Sequence, residues 1–178
     1  MIKEKFKQLA ELGAGDFQHL NGSLTEHLKG TQNILKQWGA SEVLQTAGLF
    51  HAAYGTAGFD ENMVSLDQRK YIAEIIGEEE EALVYLYCSC DRDHVFPQFN
   101  KEKSIKFRDR FNETSIEIDD KTLNLFCELT VANELELVLA SDDIKKQYGE
   151  ELLELFRRMD AYLSPQVVKA YREALSDL

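Results

Sequence analysis

Two prolines, Pro97 and Pro165, stand in a chain of 178 residues. Proline removes a backbone donor and clashes with the turn before it, so its scarcity leaves long stretches able to run as helices. Apolar residues recur at three- and four-residue spacing through most of the chain, and glycines and capping residues cut that recurrence into segments. The pattern predicts an all-α bundle of about 7–9 helices in a single domain over 1–178, without internal linker, repeat or low-complexity tract.

A first helix is expected over 2–12, ended by Gly13 and Gly15, with a polar loop over 16–22 that carries His19. Ser23, with Glu26 three residues on, forms a capping box for a helix that Gly39 stops after Trp38. Ser41 caps a third helix that ends at Tyr54, Gly55 and Thr56. Ser65 opens a fourth through Ile76; Gly77 breaks it, and a fifth runs over 78–90 with four glutamates in its first turn, suited to the positive end of a helix dipole. The stretch 91–120 is irregular, a lid or a packed loop, with a short β pair near 115–118. Helices over 121–139, 142–159 with a break near Gly149, and 165–176, capped by Ser164 with Pro165 in its first turn, close the chain.

The net charge of −12 argues against nucleic acid and anionic membranes as partners, since both require a basic face. No apolar run approaches the roughly 20 residues of a membrane span, and the opening MIKEKFKQLAELGAG has no signal-peptide core, so a cytoplasmic location is expected. Cys88, Cys90 and Cys127 are odd in number and sit in apolar settings, which suits reduced core residues better than a disulfide or a zinc knuckle.

His27 recurs with Thr31, Ile34, Leu35 and Trp38 on one helical stripe, and His51 follows Leu44, Ala47 and Gly48 on the next. Either histidine alone reads as a core residue satisfied by a backbone carbonyl. Together they suggest more, because antiparallel helices joined by a short turn bring both imidazoles to one point. A shared small-molecule pocket is therefore expected there.

The segment 27–51 resembles the start of the HD superfamily of metal-dependent phosphohydrolases, most closely the hydrolase domain of the bacterial alarmone ((p)ppGpp) synthetase/hydrolases. That family places a histidine on one helix and ends the next, small-residue-rich helix in Leu-Leu-His-Asp, here Leu49-Phe50-His51-Ala52 after Gly48. A Phe-Gly-Glu-Glu-like turn into an apolar helix corresponds to Ile76-Gly77-Glu78-Glu79, and a Leu-Ala-Asp helix to Val131-Ala132-Asn133. The resemblance covers 23–139, leaving 140–178 as C-terminal helices. The phrases EHLKGT, AGLFHAAYGT, IGEEEEAL and ANELE also resemble an uncharacterised domain family with that wording, which implies no activity.

The resemblance implies an HD-like fold with a pocket among the helices of His27, His51 and Asn133, but its ligand set is incomplete. HD proteins hold a divalent ion with histidines and aspartates, and the aspartates correspond to Ala52 and Asn133 here. The Glu-Asp pair that activates water in alarmone hydrolases is replaced by Tyr54-Gly55, in a loop one residue shorter. The standard phosphohydrolase mechanism, which needs a firmly held ion, is not expected.

Three functional readings remain. In the first, an enzyme uses a His-rich metal site of His19, His27 and His51 for zinc, iron or manganese, with His94, Glu80, Asp91 or Asp93 as a further ligand. In the second, His51 and Tyr54 act as a metal-free acid-base pair, with Thr31, Thr56, Arg92 and Asn133 contributing to ligand binding. In the third, a pseudoenzyme binds a nucleotide, another small ligand or a protein partner. Tyr54 and Thr56 equally suit a turn-stabilising role, and Arg92 suits an ion pair with Asp91 or Asp93. A homo-oligomer is compatible with all three.

Overall fold

The computed structural model describes residues 4, 5, 7, 8, 22–58 and 62–178, with the side chains of 22 and 23 excepted. The described chain is all-α: eight α-helices, with a two-stranded antiparallel sheet and short 3-10 turns between them. It divides into two compact units, Met1–Cys90 and Asp91–Leu178.

The first unit contains α1 (Gly22–Gln37), α2 (Glu42–Phe50), α3 (Arg69–Ile76) and α4 (Glu78–Ser89). The expected first helix and the loop bearing His19 lie outside the described residues, apart from four helical positions. Among these, the Lys5 ammonium donates to the Ile76 carbonyl at 2.8 Å, a cation at the negative end of α3. Helix α1 begins at Gly22, so Ser23 falls inside it; the Ser23 side chain, and with it the expected capping box, also lies outside the described residues.

Gly39, at φ 71°, reverses the chain, and the N–H groups of Gly39 and Ala40 close the end of α1 on Lys36 and Leu35. Ser41 then caps α2, its hydroxyl accepting the Leu44 N–H at 3.3 Å. Leu28, Leu35, Leu44, Ala47 and Phe50 are buried between these helices and their neighbours.

Helix α2 stops at Phe50, earlier than the periodicity predicts, and His51 is its C-cap. Residues 51–54 continue as turns in which Ala53 donates to Phe50 and Gly55 to Ala52. At that point the Phe50 carbonyl accepts the Ala53 N–H in a tighter turn than an α-helix makes, and Gly55 then takes φ 73°, which a helix does not allow, while the Ala53 carbonyl accepts the N–H groups of Met63 and Val64 from the returning chain. The fourth predicted helix is divided: a 3-10 turn, Leu66–Gln68, with Ser65 and Gln68 in a capping box, precedes α3.

The second unit holds α5 (Arg92–Val95), α6 (Asp120–Ala140), α7 (Asp142–Met159) and α8 (Pro165–Ala174). The β pair joins β1 (Phe107–Arg108) to β2 (Ser115–Ile116), with Phe107 opposite Ile116 and Arg108 opposite Ser115. Buried Asp109 shapes the connection by accepting the Phe111 N–H at 2.7 Å and the Asn112 N–H at 3.3 Å. The Phe107 and Phe126 rings meet edge to face at 4.8 Å, seating the hairpin on α6.

Two expected features of this unit differ in the structure. Helix α7 is unbroken at Gly149, which is helical and buried, and a Cβ there would lie 2.6 Å from Leu178 Cδ2. The glycine serves close packing of the C-terminal residue. Ser164 stands at the N-cap of α8 without a side-chain capping bond; its N–H donates to Glu128 Oε1 at 3.0 Å instead. Cys88, Cys90 and Cys127 are all buried, as their apolar settings suggest. Among the described residues no helix is long and apolar enough to cross a membrane.

Candidate functional site

The site is built at the crossing of α1 and α2. A Cβ on Gly48 would sit 2.5 Å from Leu35 Cδ1 and 3.6 Å from Thr31 Cγ2, so the two backbones approach as closely as they do because residue 48 has no side chain. One turn later, His51 Nδ1 lies 2.7 Å from the Gly48 carbonyl oxygen. A carbonyl can only accept, so Nδ1 donates, and in the neutral imidazole the basic lone pair is on Nε2.

The His27 ring lies across that of His51 at 5.2 Å between centroids and an interplanar angle of 83°. Tyr87, from α4, meets His51 similarly at 5.6 Å and 87°. His51 is 3% exposed, while His27 is half-buried, so the pair runs from core toward surface. The structure thus brings together the two histidines that helical spacing assigned to one point. Thr31, fully buried, donates its hydroxyl to the His27 carbonyl at 3.0 Å, a bond within α1. The Cys88 thiol donates to the His51 carbonyl at 3.1 Å, tying the C-cap of α2 to α4.

Tyr54 belongs to a second cluster in the same unit. Its hydroxyl donates to Glu81 Oε1 at 2.8 Å, and Arg69 grips the same carboxylate through Nε at 2.7 Å and Nη2 at 3.0 Å. The Arg69 guanidinium also lies 3.5 Å above the Tyr85 ring. Burial, followed by the Glu81 charge and its hydrogen bond, pushes the Tyr54 hydroxyl well above the tyrosine range. A phenol held so firmly protonated is a poor proton donor near neutrality. Thr56, two residues on, is buried at the end of the turn.

In the second unit, Arg92 pairs with Glu134 rather than with Asp91 or Asp93: Nη1 lies 3.5 Å from Oε1, with Phe96 beneath the guanidinium at 5.7 Å. Asp91 instead faces Arg108 at 3.8 Å and caps α5 by accepting the His94 N–H at 3.3 Å. Asp93 and His94 are exposed. Asn133, buried, donates through Nδ2 to the same Glu134 oxygen at 3.2 Å. Two residues expected to contact ligand, Arg92 and Asn133, therefore meet on one carboxylate.

The HD metal set does not fit the described donors. Among the described residues no three His, Cys, Asp or Glu side chains gather as a cation would require, and the residue after His51 is Ala52, whose buried methyl cannot coordinate. His19, the remaining candidate ligand, lies outside the described residues.

Sequence reasoning missed Glu81, Arg69, Tyr87 and Cys88. The signal for Glu81 was its register: it stands three, four and seven residues before Val84, Tyr85 and Cys88, on the inward stripe of α4, whereas Glu78 and Glu79 are exposed. A family model described as "Domain of unknown function (DUF6817)" matches residues 8–92. That stretch contains the phrases at 26–31, 47–56 and 76–83, but not the one at 132–136. No curated protein and no solved structure matches the chain significantly.

Proposed function

We propose that the protein is a divergent HD-like domain that keeps the paired histidines as a small-molecule binding position and has given up metal-dependent phosphohydrolysis. The observation that carries this reading is the His27–His51 contact at 5.2 Å, with His51 held by the Gly48 carbonyl and an alanine methyl following it where the resemblance requires an aspartate. Two imidazoles at a helix crossing, one core-facing and one half-buried, can orient a nucleotide or similar ligand by hydrogen bonds. Water activation would need an acid or a firmly held ion. Tyr54 is engaged by Glu81, and no carboxylate follows His51. Turnover of alarmone or nucleotide substrates with added manganese tests this directly: no hydrolysis is expected, and hydrolysis abolished by His51→Ala would refute it.

A second reading, an enzyme with a His-rich metal site, draws support from the His51–Gly48 bond itself. Metal-ligating histidines commonly donate their other ring N–H to a carbonyl, which fixes the tautomer that points a lone pair at the ion. Metal analysis of the purified protein beside a His27→Ala/His51→Ala variant separates the two. Stoichiometric metal lost in the variant would favour the enzyme.

A further inference from the structure

Helix α4 holds the turn that carries His51 at three places. Near its C-terminal end, the Cys88 thiol donates to the His51 carbonyl at 3.1 Å and the Tyr87 ring meets the His51 ring at 5.6 Å. Two turns earlier, Glu81 accepts the Tyr54 hydroxyl at 2.8 Å. Between His51 and Tyr54 the backbone has little freedom, since it closes the Ala53–Phe50 and Gly55–Ala52 turns and the Ala53 carbonyl takes two further N–H groups.

Glu81 is the charged member of this buried stripe, and an apolar residue there would avoid the cost of desolvating a carboxylate. Its two oxygens are instead aimed by a two-point grip from Arg69, whose guanidinium is in turn seated on Tyr85. A side chain fixed at its far end in this way sets geometry. We infer that Glu81 is a positioning residue for the histidine site: clamped by Arg69, it anchors Tyr54 and through the Tyr54 turn sets the orientation of the His51 imidazole.

The inference takes the importance of His51 from the proposed function, but its test needs no ligand, so the two can fail separately. In nitrogen-15 NMR of the full chain, the His51 ring should be an Nδ1–H tautomer in the wild type. Tyr54→Phe, which removes one oxygen, should move the His51 ring-nitrogen shifts toward a tautomer average and speed exchange of the Ala53 and Gly55 amides by about tenfold beyond any change in the Leu35 amide, as local opening does. Glu81→Gln should move the same signals in the same direction; should it fail to fold, Tyr54→Phe decides alone. Unchanged His51 nitrogen shifts and turn-amide exchange in Tyr54→Phe would overturn the inference, whatever happens to its melting temperature, because a merely stabilising bond would lower stability without moving them.

Discussion

His51 Nδ1 lies 2.7 Å from the carbonyl oxygen of Gly48, so the glycine that lets α2 approach α1 also orients the imidazole at the end of α2. Packing and site chemistry meet in that residue. Adding a methyl at position 48 is expected to disturb both.

Gly48→Ala would press a Cβ against buried Leu35 and should destabilise the fold by about 1–3 kcal/mol, the usual cost of overpacking a core. Urea unfolding measures it. A midpoint within error of the wild type would mean that the helix crossing relaxes freely.

The Tyr54–Glu81 bond should appear in the alkaline limb of stability. Tyr54 has its folded pKa raised above the unfolded value near 10, so the folded state retains a proton that the unfolded state releases. Its contribution is complete below about pH 10 and is lost as the pH rises toward the folded pKa. Tyr54→Phe should cost about 1–3 kcal/mol at neutral pH, as expected for a bond to a charged acceptor, and should fall less steeply than the wild type above pH 10. Parallel curves would contradict the assignment.

Ala52→Asp would return a carboxylate to the position that follows His51. Ala52 is 3% exposed, so a new carboxylate there should have a raised pKa and destabilise the protein by about 2–4 kcal/mol, increasingly as the pH climbs from 4 through that raised value. If the turn retains HD-like geometry, manganese should recover part of the loss in thermal denaturation. No response to manganese would argue that the resemblance does not extend to this turn.

Helix existence and order were legible in the sequence because capping residues and apolar periodicity act locally, as Ser41, Gly39 and Gly77 illustrate. The contact between His27 and His51 was legible for the same reason: two stripes on adjacent helices joined by a short turn must face each other. What could not be read were long-range contacts. The turn after Phe50 is met by Met63 and Val64, which return to the Ala53 carbonyl, and Gly149, buried within a continuous α7, leaves room for Leu178 from far along the chain. Glu81 lay within a run of four glutamates that suited the helix dipole alike, and only its register with Val84 and Cys88 pointed inward.

Arg92 and Glu134 are each 17% exposed on their side chains, and at 3.5 Å their pair should contribute modestly. A double-mutant cycle with Arg92→Ala and Glu134→Gln should return a coupling of about 0.5–1 kcal/mol, as for partly solvated ion pairs. A coupling near zero would leave Asn133 as the principal partner of Glu134.

The central claim, that the His27–His51 pair is a small-molecule binding position, is tested most directly by thermal shift. The wild type and the His27→Ala/His51→Ala variant would be heated with guanosine and adenosine nucleotides, including guanosine tetraphosphate, in the presence and absence of manganese. A ligand bound by the native state raises the melting temperature by mass action, by the equivalent of about 2.7 kcal/mol at a hundredfold excess over Kd. The account predicts that at least one nucleotide raises the melting temperature of the wild type and leaves that of the variant unchanged. Equal shifts in both proteins, or none in either, would contradict it.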